Sequence, residues 1–462
     1  MAASVAIKPI PQLSAPPLIG SMKEMQRDRL ALYMRAAREC GDTALIRIGP
    51  YRFYVFNTPE MAQAILVDHA NDFDKGFVAH KAFTPVIGNG LINNEGESWR
   101  KQRKLMAPVF THRHIASYAD TMVGYTERIQ QTWADGVELR IDQEMTRLTM
   151  SIVGKTLFDA DVFDESDGLG QAVTRAMEFL QYTIGHLMPV PLSIPTPRSR
   201  RTKAALAVIR ERLQAEIDQR RASGTDRGDL LSLLLAARDE HGAGMDDTQI
   251  RNEAVTLFMA GHETTANTLA WCWYFLARYP ETYAKLQAEV DRVLGGRPAT
   301  VADLPQLPYA LQVFKEALRL YPAADSLSRQ AVRDMDLQGY PIQKGDLVAV
   351  PIYTLHRRPE FYPDPERFDP ERFTPENEKR LPRYAYLPFG GGPRVCIGNH
   401  FAMMEGQLIL ATLAQHVTFD LVPGQDVVPT TVFVVRQKDG CRVTVRRRDG
   451  NRDRAASPQA HA

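Results

Sequence analysis

Along the 462-residue chain the pattern of apolar and polar positions is mainly helical. Apolar residues recur at three- and four-residue spacing near 24–40, 59–69, 97–106, 114–134, 142–158, 202–221, 247–279, 281–294, 308–321 and 399–416, and each stretch predicts a helix. The run at 247–279 is the longest. Asp246 with Gln249 supplies a start signal and Pro280 a stop, and at 1.5 Å per residue it would span about 50 Å. Strand-like runs are fewer. ALIRIG and RFYVFN (44–57) predict a hairpin around Gly49 and Pro50. Residues 331–352 predict short strands broken by turns at Gly339–Pro341 and Lys344–Asp346. TTVFVVRQKDGCRVTVRRR predicts a second hairpin turning at Asp439 and Gly440. The stretch 73–95 reads as a loop.

These elements define a mainly α protein with small β-sheets. One large domain covers 21–448, after an extended proline-rich segment at 1–20 and before a polar tail at 449–462 that reads as disordered. No repeat or long linker divides it. Apolar residues make up 44% of the chain, enough for a sizeable core. Its 56 basic residues are matched by 55 acidic ones, a balance that argues against nucleic-acid binding. The four cysteines, at 40, 272, 396 and 441, form no close pair, so neither a disulfide framework nor a four-cysteine zinc site is expected, and the default setting is a reducing cytoplasm. The N-terminus lacks the apolar core of a signal peptide, and no apolar run approaches the roughly 20 residues of a membrane span.

Candidate chemistry concentrates in FGGGPRVCIG (389–398). Three consecutive glycines give the backbone freedom that a close approach requires. The helix predicted from 399 would place the Cys396 sulfur at a helix N-terminus, where unpaired amides favour a thiolate. Such a thiolate suits a nucleophile or a metal ligand. His400, four residues on, keeps the nucleophile reading open, and a small buried hydrophobe is the bland alternative. Elsewhere, Trp99 and Arg103 share one helix face, Glu316 and Arg319 are spaced for an ion pair, and Glu263 and Thr264 sit in the middle of the longest helix.

Five motifs in order give this chain a family resemblance. Phe389, Gly392, Arg394, Cys396 and Gly398 form the cysteine signature. WRKQR (99–103), AGHETT (260–265), EALR (316–319) and PERF (370–373) precede it. The chain resembles the cytochrome P450 superfamily of haem-thiolate monooxygenases, of the soluble bacterial type. The resemblance implies a cytochrome P450 fold and heme b (iron protoporphyrin IX), with Cys396 as the iron ligand. It implies that Phe389 and Gly398 shape the ligand loop and that Trp99, Arg103, Arg329 and Arg394 meet the propionates. It makes Glu263 and Thr264 the proton-handling pair, leaves room for oxygen beside Ala260 and Gly261, and assigns Glu316, Arg319 and Arg372 to a buried salt-bridge network. The substrate pocket would be lined by 73–95, the central helix, Ala323, Ala324, Ser326 and, on the last hairpin, Phe433.

The implied reaction activates dioxygen with two external electrons and inserts one oxygen atom into an apolar substrate such as a fatty acid, terpenoid, steroid or polyketide-like molecule. A haem-thiolate peroxygenase or isomerase and a non-enzymatic haem sensor are the alternatives. A monomer served by a separate ferredoxin or flavodoxin with its reductase is expected, because one haem domain takes up nearly the whole chain. The basic residues Arg100, Lys101, Lys104, Arg113, His114 and Arg394 suggest where an acidic partner would dock.

Overall fold

The computed structural model describes residues 8–448 apart from 160, 162–167, 187–188, 225 and 432. The expected tail at 449–462 and the first seven residues lie outside the described part. The central helix, Asp247–Arg278, starts where the Asp246 side chain accepts from the Gln249 N–H at 2.7 Å. Its stretch from Leu269 through Leu276 is apolar all round and entirely buried, as a helix without a polar face requires. It packs most extensively on Ile141–Phe158, and also on Pro308–Leu320, Pro197–Ser223 and Asn399–His416. Trp271 and Trp273 are fully enclosed in the main core this helix anchors.

The β-structure lies apart from the helical core. Thr43–Ile48 and Tyr51–Phe56 form the expected hairpin, turning at Gly49 and Pro50. Tyr51–Phe56 then pairs parallel with Leu347–Val350, and Leu327–Ala331 and Phe73–Asp74 complete a five-stranded sheet. From the N-terminal segment, residues 8–20 run along this sheet through bridges Gln12↔Leu45 and Gly20↔Ile48, with Leu13 buried.

Several sequence expectations need correction. Val435–Gln437 pairs with Pro429–Thr431, whereas Arg442–Arg447 pairs with Val417–Leu421 and Glu138–Arg140, so the last hairpin turns next to Phe433 and not at Asp439–Gly440. Gly440 instead marks the crossing between two sheets: its φ is +73°, and a Cβ there would stand 1.9 Å from the Arg140 guanidinium. The stretch 73–95 holds a helix, Gly76–Ile87, whose mostly apolar sequence and internal Pro85 hide its period. Helices Leu169–Gly185 and Leu230–Ala236 are additional. The run at 114–134 divides into His112–Ala116 and Ala119–Gln131, and the helix begun at Pro59–Gln63 continues as a π turn, Ala64–Asp68. No helix among the described residues is long and apolar enough to cross a membrane.

Candidate active site

The cysteine loop is built around two left-handed glycines, Gly390 at φ +74° and Gly392 at φ +67°. A Cβ on Gly392 would lie 1.9 Å from the Leu66 carbonyl oxygen, so only glycine lets the loop close against the π turn. The Cys396 N–H then donates to the Phe389 carbonyl at 2.9 Å, joining the first and last parts of the signature. Phe389 packs at the edge of the main core.

Cys396 is exposed, whereas Cys272 and Cys441 are buried. Surrounding protein groups still desolvate its thiol. Burial pushes its pKa up, and this outweighs the opposing pull of the Gly398 N–H, Arg103 and Lys75. The helix N-terminus alone therefore does not produce the thiolate; a coordinated metal would remove the proton outright. His400 meets the His112 ring, 4.3 Å between centroids, and no hydrogen bond joins it to Cys396 among the described residues.

Four cations converge near the thiol. Arg394 donates to the Asn94 carbonyl at 3.0 Å, pairs with Glu95, and places its guanidinium carbon 4.3 Å from the Trp99 ring centroid. Arg103, on the same helix as Trp99 (Gly96–Met106), has its pKa lowered by burial, against the field of Cys396. Arg329 is lowered to about 10 by burial and by Arg394, and donates only to the Ser328 carbonyl. Lys75, which the motifs did not single out, is pushed down to about 7 by burial, Arg329 and Arg394, while Glu95 and Cys396 act in its favour. Among the described residues neither Lys75 nor Arg329 has an ion-pair partner. A half-buried group of four cations met only by Glu95 and, at Arg394, by the field of Asp74 is costly unless an anion joins it. That donor set fits a haem carrying two propionates, with a sulfur ligand to the iron.

On the central helix, the Thr264 hydroxyl donates back to the Ala260 carbonyl at 2.7 Å, the usual habit of a mid-helix threonine. Glu263 is half-buried and accepts from Gln181 Nε2 at 3.2 Å. Burial raises its pKa to about 7, with Arg436 and Gln181 pulling the other way, and its second oxygen has no partner. At Gly261 an added Cβ would stand 3.2 Å from Val153, so the small residue there also serves packing against Ile141–Phe158. Ala260, one turn before Thr264, shares the threonine's face. His262, buried, hydrogen-bonds to the Phe258 carbonyl.

The salt-bridge triad is assembled. Glu316 and Arg319 are fully buried and doubly hydrogen-bonded, at 2.6 and 2.8 Å, and Arg372 Nε stands 3.4 Å from Glu316. Arg319 also donates to the carbonyls of His356, Pro365 and Arg367. Sequence reasoning missed His356. Its Nδ1 meets the Arg319 carbonyl at 3.2 Å and its Nε2 accepts from the Leu387 N–H at 2.8 Å, which holds it neutral, with its pKa down near 3 through burial and Arg319. It thus connects the triad to the chain two residues before Phe389.

On the other side, Phe433 meets Phe83 edge-on at 5.5 Å, linking the last hairpin to helix Gly76–Ile87. The Ala323 carbonyl accepts from the Val435 N–H at 3.0 Å, and Ala324 follows it. Ser326 is already engaged: its hydroxyl bonds with Tyr33 at 3.1 Å and Asp325 at 3.2 Å, and Asp325 pairs with Arg29. The basic residues proposed for docking are also partly engaged, since Lys101 pairs with Asp239 at 3.1 Å, Lys104 with Glu240 at 2.8 Å, and Arg100 bonds Asn71.

Comparison with known proteins agrees with this arrangement. The family model for cytochrome P450 matches residues 10–445. Cyclooctatin synthase of Streptomyces melanosporofaciens is 37% identical over 89% of this chain and 90% of its own length. Cyclooctat-9-en-7-ol 5-monooxygenase of the same organism is 37% identical over 88% of this chain and 89% of its own. Pentalenene oxygenase of Streptomyces avermitilis is 34% identical over 91% and 93%. Among solved structures, the haem domain of cytochrome P450DA superposes with a TM-score of 0.88 at 29% identity, covering 96% of this chain and 98% of that one. The chain belongs to the cytochrome P450 family, whose members are haem-iron monooxygenases that use dioxygen, an organic substrate and redox partners.

Proposed function

We propose that this protein hydroxylates or epoxidises a terpenoid hydrocarbon, using heme b ligated by Cys396 and electrons from a separate ferredoxin or flavodoxin. The observation that carries the site assignment is the cation group Lys75, Arg103, Arg329 and Arg394 beside the only exposed cysteine of the four, with Lys75 and Arg329 lacking an ion-pair partner among the described residues. These cations and the Trp99 indole N–H would hold the propionates, with Phe389 and Gly398 shaping the loop around the sulfur. Haem, when bound, supplies dioxygen activation and the oxidising equivalent.

The chain's own groups do the rest. Glu263, with a pKa near neutrality, can take and give a proton at physiological pH. The Thr264 hydroxyl, held on the Ala260 carbonyl at 2.7 Å, would position a water through which that proton moves. Glu316, Arg319 and Arg372 keep the cysteine loop in place. Ala323, Ala324 and Phe433 border the substrate, and Ser326 supports that wall through Tyr33. Residues 21–448 are the catalytic domain of a cytoplasmic monomer. Terpenoid chemistry is inferred from the named relatives together with the apolar, aromatic contacts of Phe83 and Phe433.

The test is turnover of pentalenene with isotope-labelled dioxygen, a ferredoxin and its reductase. The reading expects one labelled oxygen in the product. Label from water alone, or product formed without reductase, would overturn it.

A further inference from the structure

We propose that Glu253 is a positioning residue that clamps the 88–95 segment onto the central helix and so sets how firmly that wall of the substrate pocket closes. The pocket assignment rests on the reading above; the clamp itself rests on geometry.

Glu253 is completely buried on the first half of the central helix, yet no cation pairs with it among the described residues. Each of its oxygens accepts one neutral donor: the Leu91 N–H at 2.8 Å and Gln249 Nε2 at 2.5 Å. A buried carboxyl of this kind is expensive unless it holds something in place. What it holds is a backbone amide in the segment linking helices Gly76–Ile87 and Gly96–Met106. Gln249 adds a second tie, donating to the Asn89 carbonyl at 3.0 Å.

The seat on the helix is cut to fit. A Cβ on Gly88, at φ +58°, would stand 2.4 Å from Asn252 Oδ1. On Gly90 it would stand 1.9 Å from Thr256 Oγ1 and 2.8 Å from the Asn252 carbonyl. Two glycines therefore allow the segment to lie against residues 252–256, and one carboxyl between them fixes its register. Asn93 braces the segment internally, bonding Thr84 and the Gly88 carbonyl. At its far end Asn94 and Glu95 engage Arg394. The segment thus spans from the central helix to the cysteine loop, and Glu253 anchors the end remote from Arg394.

Two variants perturb the clamp from opposite sides. Glu253→Ala removes both acceptors; Gly90→Ala leaves Glu253 intact and pushes the segment off the helix. The holoenzyme of each is tested with 4-phenylimidazole, followed by the ferric Soret shift, and by hydrogen exchange at the Leu91 amide. In both variants the inference expects faster exchange at Leu91 and a dissociation rate for the probe raised by about tenfold, the worth of one hydrogen bond to a carboxylate, with the reduced carbon monoxide spectrum unchanged. Leu91 protection and probe kinetics equal to the parent's in either variant, with the spectrum intact, would overturn it. A lost carbon monoxide spectrum in both would also overturn it, since Glu253 would then serve the fold and not the pocket wall. Failure of pentalenene turnover in the parent protein bears on the proposed function alone.

Discussion

The Arg394 guanidinium stands 4.3 Å from the centroid of the Trp99 ring, and this contact joins the cysteine loop to helix Gly96–Met106. The indole face attracts the cation, a contribution of about 0.5–2 kcal/mol that rises as the pair is desolvated. Two motifs nearly 300 residues apart in sequence therefore form one wall. We predict that Trp99→Ala speeds haem transfer to a scavenging apoprotein several-fold, while Trp99→Phe, which keeps the ring face, has a smaller effect. Equal haem-loss rates in the parent and both variants would show that the pair plays no part in retention.

In the proposed mechanism Thr264 and Glu263 divide proton handling between a hydroxyl and a carboxyl whose pKa burial raises to about 7. Thr264→Ala should leave the substrate-induced Soret shift intact and divert electrons to peroxide, lowering product formed per electron, because a positioned proton-transfer group is worth about 10²–10⁴-fold in the rate of the step it serves. Unchanged coupling would remove Thr264 from the relay.

Glu405 yields a pH prediction. It is fully buried on helix Asn399–His416, with the Thr265 hydroxyl beside it and no hydrogen bond of ordinary geometry to either oxygen, and burial raises its pKa to about 8. The folded protein thus holds a proton that the unfolded chain releases at the ordinary carboxyl value. Its contribution to stability is complete below that value and is lost as pH rises toward and through about 8. Glu405→Gln, which mimics the protonated form, should melt higher than the parent at pH 9 and close to it at pH 5. A parent and variant that melt with the same difference at both pH values would contradict this.

Much of this architecture was legible in the sequence because its signals are local. The cap at Asp246, the turn at Gly49–Pro50 and the i, i+3 spacing of Glu316 and Arg319 each need only a few neighbouring residues, and the structure reproduces all three. Lys75 and His356 were not legible, because their roles arise from neighbours outside any local motif: Arg329 and Arg394, hundreds of residues on, for the lysine, and Arg319 and Leu387, each some tens of residues away, for the histidine. The Gly440 crossing was misread for a related reason. A turn-forming Asp-Gly pair between two β-prone runs looks like a hairpin, and only the partners of each run decide whether it is one. Helix Leu169–Gly185 had a readable signal in the spacing of Ala172, Ala176 and Leu180, all buried on one face.

The assignment of Cys396 as the iron ligand is the claim on which the rest of the site depends. The most direct measurement is the absorbance of the reduced carbon monoxide complex of the parent and of Cys396→His, each loaded with haem. The parent is predicted to show the thiolate-type band that gives the family its name, and Cys396→His the shorter-wavelength band of an imidazole-ligated haem. A parent without the thiolate band, or a Cys396→His spectrum identical to the parent's, would contradict it.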